Sequence, residues 1–344
     1  MRQSHFSKFL TYTLLLGLAV FAAEIFWPRH YAVPTMQKRQ STQYWDLPTG
    51  SRIGYTFVTG KGAKKSSPII YLHGGPGGPI SDMTIQRLSP LAEEGYDLYF
   101  YDQIGGGCSA RLDDISQYTT ERHVQDLEAI VRQIGASKVI LIGQSWGAIL
   151  ATLFAADYPD QLEKIIFTSP GAIQPIRREA KNAQAPDSLH LRAPYFTNAQ
   201  ANRKANNLRT KCMAYLATSF GIKLASDAEA DDFLTSLNGE TNKSCVCDTT
   251  RFPSTMAGGG YYVSQMTVQS FRQLQDPRPK LRNVQCPVLV MRGQCDNRKW
   301  WEAQEYLDLF PNHQLVYIPN AGHFISFEQP ELYFKAIRAF LLSN

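Results

Sequence analysis

A serine hydroxyl becomes a useful nucleophile when a base takes its proton and a third group holds that base in place. In the run 139–150, VILIGQSWGAIL, Ser145 stands between Gly143 and Gly147, directly after four aliphatic residues. A buried strand over 138–142 followed at once by a helix over 146–157 must reverse direction in very few residues. Small neighbours two positions either side of the apex let strand and helix approach closely. The apex side chain is then lifted above the sheet edge, at a helix N-terminus. The Gly-x-Ser-x-Gly pattern also occurs by chance; the strand before it and the helix after it make Ser145 a candidate nucleophile.

Its partners should lie at the carboxyl ends of neighbouring strands, where open parallel sheets collect their chemistry. Of the seven histidines, His5 and His30 lie in or beside the N-terminal segment, His123 is on a helix and His190 falls in a polar block. His313 precedes its strand. His323 follows the strand 314–318 through Pro319-Asn-Ala-Gly322, at the correct edge, and is the candidate base. Asp296 follows the strand 288–291 at that same edge and is the candidate to hold the other imidazole nitrogen. The strand ending at Thr168 offers only Ser169 and Pro170, so that alternative place for the acid is vacant. An oxyanion needs two fixed N–H donors. One is expected from Trp146, the other from Gly75, with Gly74 next, in the loop HGGPGG at 73–78. His73 reads as shaping that loop rather than as the base. The loop matches no phosphate-binding spacing and has no lysine.

The elements that position these residues alternate. A hairpin over 40–47 and 51–59 turns at Pro48-Thr-Gly. Strands over 68–72 and 96–101, helices over 82–94 and 120–134, the turn at Ser145 and a strand over 164–168 follow. Strand 288–291, helix 300–309, strand 314–318 and a closing helix over 332–342 complete the series. This order predicts an α/β fold, a mostly parallel sheet covered by helices on both faces. Residues 171–285 break the rhythm: they are polar, lean to helix and contain Gly258-Gly-Gly260. They read as an inserted helical lid, dividing the core into 28–170 and 286–344.

The chain has 344 residues, 44% hydrophobic, with a net charge of +5 and no basic block of the kind that binds nucleic acid. Residues 171–223 carry nine Lys and Arg against Glu179 and Asp187, read as a solvated face, with membrane-surface contact as the alternative. Arg2 and Lys8 precede an apolar run over 10–23, which matches an export signal with a possible cleavage after Ala22. Extension through Trp27 gives an uncleaved anchor, so 1–27 reads as a signal peptide or anchor, with an ordinary buried helix as the third alternative, and the catalytic body is expected to be exported, periplasmic or extracellular. Six cysteines fit that compartment. Cys286 and Cys295 bracket a strand that, at about 3.3 Å per residue, holds them too far apart to pair. Cys212 with Cys245 or Cys247 is the expected bridge; free buried thiols are the alternative.

The segments HGGPGG at 73–78, DQIGGGCS at 102–109, GQSWG at 143–147, GQCD at 293–296 and AGH at 321–323 together resemble the α/β-hydrolase fold, and within it the proline iminopeptidase family of serine peptidases. The resemblance covers roughly Tyr44 to Leu342 outside the lid. It implies release of an N-terminal residue, often proline, with Ser145 as nucleophile, His323 as base, Asp296 as its orienter, and Gly75 and Trp146 as oxyanion donors. Two departures stand out. Ile104 occupies the family's arginine position, and Ala257-Gly-Gly-Gly-Tyr-Tyr262 lacks the acid that family lids use to hold a substrate amine. Glu229 and Asp232, in a helix with Asp227 and Asp231, are the replacement candidates, although periodicity reads them as an exposed helix face. Tyr195, Phe196, Tyr261 and Tyr262 are candidates to wall a side-chain pocket.

The expected chemistry is acyl transfer to Ser145 on a peptide or small acyl substrate, which requires no metal or organic cofactor. An aminopeptidase is the first reading and an esterase or acylamide hydrolase the second. A catalytically silent binding protein is the third, which an intact Ser, Asp and His set disfavours.

Overall fold

The computed structural model describes residues 2–194, 196–251 and 256–343. A helix, α1 (Arg2–Phe26), comes first, and a hairpin of β1 (Gln43–Asp46) and β2 (Arg52–Val58) follows. The alternating part then runs β3 (Ile69–Leu72), α2 (Asp82–Leu88), β4 (Leu98–Tyr101), α3 (Thr120–Ile134), β5 (Val139–Gln144), α4 (Trp146–Asp157) and β6 (Leu162–Thr168). Among the described residues, five α-helices occupy the next stretch: α5 (Asn198–Ala205), α6 (Leu208–Phe220), α7 (Asp227–Thr241), α8 (Tyr261–Arg272) and α9 (Arg278–Leu281). The chain closes with β7 (Val288–Gly293), α10 (Trp300–Leu309), β8 (His313–Ile318), α11 (Ile325–Glu328) and α12 (Pro330–Leu342).

The strands form one sheet in the order β1-β2-β4-β3-β5-β6-β7-β8. Only the β1–β2 and β2–β4 pairings are antiparallel; β4 onward is parallel. The central strands are apolar throughout because both faces are covered: all of Ile69–Leu72 and Val139–Gly143 are buried. One core layer packs Leu127, Ile130, Leu150, Phe154 and Tyr306 against one face. The other packs Leu88, Ile337 and Phe340 against the opposite face. The expected α/β architecture is therefore the observed one.

Local chemistry sets the boundaries. α3 starts where the Thr119 side chain accepts from the Arg122 N–H and ends at Gly135, whose φ is 75°. The helix expected over 82–94 stops as an α-helix at Leu88 and tightens into a 3₁₀ turn over Ser89–Glu94. Pro90 causes this change, since it has no N–H to donate to the α-helical ladder. Among the described residues, the stretch between β6 and β7, called the cap below, is helical and adds no strand to the sheet.

Candidate active site

Ser145 follows β5 with φ 55° and ψ −112°, a strained conformation for a residue with a Cβ. The flanking glycines are explained by contact. A Cβ on Gly143 would lie 2.5 Å from the Gly147 carbonyl oxygen, and one on Gly147 would lie 1.9 Å from that of Leu72. The Ser145 N–H donates to the Thr168 carbonyl (3.0 Å), tying the turn to β6. Among the described residues the Ser145 hydroxyl has no hydrogen-bond partner, and it is partly exposed.

His323 and Asp296 meet at the same edge. The His323 Nδ1–H donates to Asp296 Oδ1 at 2.9 Å, which leaves Nε2 as the free nitrogen. The same carboxylate oxygen accepts from the Arg298 N–H (2.9 Å), and Oδ2 lies 3.3 Å from Arg292 Nη1. Burial alone would raise the Asp296 pKa, but the charges of His323 and Arg292 outweigh it and hold the carboxyl well below the usual carboxylate range. The sequence reading passed over Arg292, although a charged residue inside an apolar strand, four positions before the acid, was a usable signal.

The loop after β3 abuts the serine: a Cβ on Gly74 would lie 3.3 Å from that of Ser145. Among the described residues the N–H groups of Gly75 and Trp146 donate to no protein acceptor. His73 is buried and shapes this loop: Nδ1–H donates to the Gly74 carbonyl (2.8 Å) and Nε2 accepts from the Gln103 N–H (2.9 Å). Burial lowers its pKa, against the pull of Asp102. The Gln103 side chain joins the two halves of the site, donating to the His73 carbonyl (3.0 Å) and accepting from Trp146 Nε1 (2.8 Å). Asp102 fastens the same region through the Ile80 and Cys108 N–H groups (2.7 and 2.8 Å).

The cap reaches this edge at two seams. Along one, the Gly107 N–H donates to the Gly258 carbonyl (2.8 Å) and the Gly260 N–H to the Gly77 carbonyl (2.7 Å). Along the other, the cysteine pairing differs from expectation. Cys247 is bridged to Cys295, while Cys212 and Cys245 are free thiols. The reason is long-range: the cap segment around Cys245 folds back onto the catalytic edge, where its carbonyl accepts from the Phe324 N–H (3.1 Å). Glu328 braces both sides, accepting from the Cys247 and Asp248 N–H groups (2.8 and 3.0 Å) and from Gly322 N–H (2.6 Å). Neither Gln103 nor Glu328 carries a sequence signal beyond its place beside a strand edge or a histidine.

The acids of α7 do not form the exposed face that periodicity suggested. Both Glu229 oxygens are taken by Arg209 (2.6 and 2.7 Å), and Oε1 also accepts from the Arg29 N–H (2.9 Å). Asp231 binds Arg111 (2.8 Å) and the Tyr261 N–H (2.8 Å); burial pushes its pKa up to about 6. Asp227 pairs with Lys223 (2.9 Å). Asp232 alone of these four has no ionic partner among the described residues. Tyr261 and Tyr262 are buried in the cap, with the Tyr262 hydroxyl donating to the Ala225 carbonyl (2.8 Å), whereas Phe196 is exposed. Tyr195 lies outside the described residues.

Comparison with known proteins identifies the fold. The chain is 25% identical over 300 residues to a proline iminopeptidase of Heyndrickxia coagulans, a match covering 86% of this chain and 96% of that protein. A proline iminopeptidase of Lactobacillus delbrueckii subsp. bulgaricus is 36% identical over 127 residues, which is 36% of this chain and 42% of that protein. Among solved structures, an esterase from Exiguobacterium antarcticum superposes with a TM-score of 0.60 at 16% identity, over 87% of this chain and 99% of the esterase. The profile of the alpha/beta hydrolase fold matches residues 67–330. With an eight-stranded sheet of this order behind that match, the chain belongs to the α/β-hydrolase family and resembles its proline iminopeptidases.

Proposed function

We propose that this hydrolase works through a Ser145–His323–Asp296 triad, and that its substrates are peptides from which it releases the N-terminal residue. The observation that carries the triad is the 2.9 Å His323–Asp296 hydrogen bond at the sheet edge where Ser145 is held in strained geometry. Asp296 fixes the tautomer that leaves His323 Nε2 to take the Ser145 proton as the hydroxyl attacks the carbonyl. The N–H groups of Gly75 and Trp146 receive the oxyanion. His323 then protonates the leaving amine, and water hydrolyses the acyl-enzyme by the same route.

The likeness to proline iminopeptidases supports the aminopeptidase reading. The cap supports a second reading, an esterase or acylamide hydrolase. A buried substrate ammonium needs carboxylates, yet Glu229 is committed to Arg209 and no acid lies in 257–262. Asp232 is the remaining candidate. The test is hydrolysis of proline amide with and without an N-acetyl cap. A hundredfold preference for the free amine, about 2.7 kcal/mol, is the expected result; equal rates on both would replace the aminopeptidase reading by the second.

We further read α1 as an anchor that places the catalytic body outside the cytoplasm. Ser7–Phe26 is a 20-residue apolar stretch buried nowhere in the molecule. At about 1.5 Å per residue its length matches a bilayer core of about 30 Å. The Cys247–Cys295 bridge supports an oxidising compartment. Carbonate extraction of host membranes tests this: release of the intact chain into the soluble fraction would overturn the anchor.

A further inference from the structure

We propose that the outer face of α6 docks on the surface of an anionic lipid bilayer, so that the cap rests on the membrane that α1 enters. This rests on reading α1 as a retained anchor and adds a second, separate contact. The continuity of the two helices carries the argument. Arg209, the second residue of α6, donates to the Ile25 carbonyl at the end of α1 (2.5 Å). The Arg209–Glu229 pair that holds this contact is buried and also fixes the Arg29 N–H. Tyr31 packs on Phe233 of α7, with ring centroids 5.5 Å apart. The chain leaving α1 is therefore clamped to the cap, and α6 begins where the apolar helix ends.

The face that α6 turns outward suits such a place. Leu208, Lys211, Tyr215 and Ser219 recur at helical spacing on its exposed side, while Thr210, Met213 and Ala217 are buried on the other. Tyr215 is 61% exposed and Phe220 59%, yet their rings pack edge to face at 5.7 Å, and Ile222 follows at 52% exposure. Trp27, next to the end of α1, is 75% exposed, in the position where aromatic rings settle at a lipid interface. Among the described residues outside 1–27, the exposed large apolar side chains lie in the cap, except Leu332 and Leu342. Leu208, Tyr215, Phe220 and Ile222, with Lys211 among them, give α6 an amphipathic outer face of the kind that lies at a lipid interface.

Charge selects an anionic one. Of the nine basic side chains over 171–223, Arg177, Lys204, Arg209 and Lys223 are paired with acids elsewhere in the chain, whereas Lys211 on the exposed side of α6 and Arg203 in α5 just before it have no carboxylate partner among the described residues. Basic side chains around an apolar helix face are the composition that binds anionic headgroups at the interface.

The test uses the full chain reconstituted in vesicles of equal parts phosphatidylcholine and phosphatidylglycerol. Cys108, Cys212 and Cys286 are replaced by serine, and an environment-sensitive fluorophore is attached in turn at Leu16→Cys, Tyr215→Cys or Lys61→Cys. Quenching is read with lipids spin-labelled near the headgroup or deep in the acyl chain. The expected result is loss of emission at position 16 with the deep quencher, at 215 with the shallow quencher, and none at 61. Quenching at 16 without quenching at 215 overturns the docking face while the anchor stands. Absence of quenching at both positions overturns the anchor and the docking face together. Equal shallow quenching at 215 and 61 also overturns the proposal, because contact would then not be specific to α6.

Discussion

Cys247 of the cap is bridged to Cys295, the residue immediately before Asp296, so a covalent bond runs from the lid to the loop that orients the histidine. The bridge closes a loop across a sequence separation of 48. By loop-closure entropy it contributes on the order of 4 kcal/mol. Replacing both cysteines by serine, or adding reductant, should lower the urea midpoint by a corresponding amount. Turnover should fall at the same time, because the Asp296 loop loses its tether. An unchanged midpoint in reductant would show that the bridge does not hold the cap down.

Ser145→Ala should abolish labelling by a fluorophosphonate and lower turnover by about 10⁴- to 10⁶-fold. Labelling that persists in this variant would remove Ser145 from the nucleophile's role.

Asp296→Asn should cost about 10⁴-fold in kcat through the wrong imidazole tautomer. It should also be less stable than the wild type, since Arg292 would keep its buried charge and lose its partner. Kinetics and thermal melts on the same preparation separate the two effects, and near-normal kcat would mean that the acid lies elsewhere.

Glu229 and Asp232 should behave differently. Glu229→Ala strands the buried Arg209 and should cost about 3–5 kcal/mol of stability, with little change in KM for the folded fraction. Asp232→Asn should melt like the wild type and raise KM for unblocked substrates more than for N-acylated ones. A KM unchanged for both substrate types in the Asp232 variant would remove it as the amine's partner.

The molecule should lose stability in acid through His123, which is buried against Thr267 and Trp146. Burial, with His73 and Arg122 adding to it, pushes its pKa down to about 3. Between about pH 6.5 and 3 the unfolded chain therefore binds a proton that the folded chain does not, and stability falls as pH falls through that window. Asp231, raised to about 6, acts in the opposite sense: its contribution is present below about pH 4 and is lost as pH rises through 6. His123→Gln should gain on the wild type by about 2 kcal/mol between about pH 7 and about pH 5. Urea midpoints at the two values check this, and parallel pH slopes would refute it.

That Ser145, His323 and Asp296 would follow strands at one edge of the sheet was legible because the placement depends on local order: a parallel strand and the turn at its carboxyl end. The doubled glycines around Ser145 reported a backbone approach that the Gly147–Leu72 contact makes explicit. What the sequence did not disclose depends on distant packing. Nothing near Cys247 points to Cys295, and Glu229 reads as an exposed helix position until Arg209 of the neighbouring helix is seen beneath it. The early end of α2 was legible and missed, since Pro90 stood in plain view.

The seam between cap and body has one more consequence. At Gly77, a Cβ would lie 2.4 Å from the Gly260 carbonyl oxygen; at Gly260, one would lie 1.8 Å from that of Gly105. Main chain meets main chain there, with the Val263 side chain close against both positions, so the joint demands that Gly77 and Gly260 stay bare. A joint of that kind works like a common fitting: cap positions outside it and outside the Cys247–Cys295 and Glu328 seam are free to diverge in sequence while the cap seats in the same register on the body.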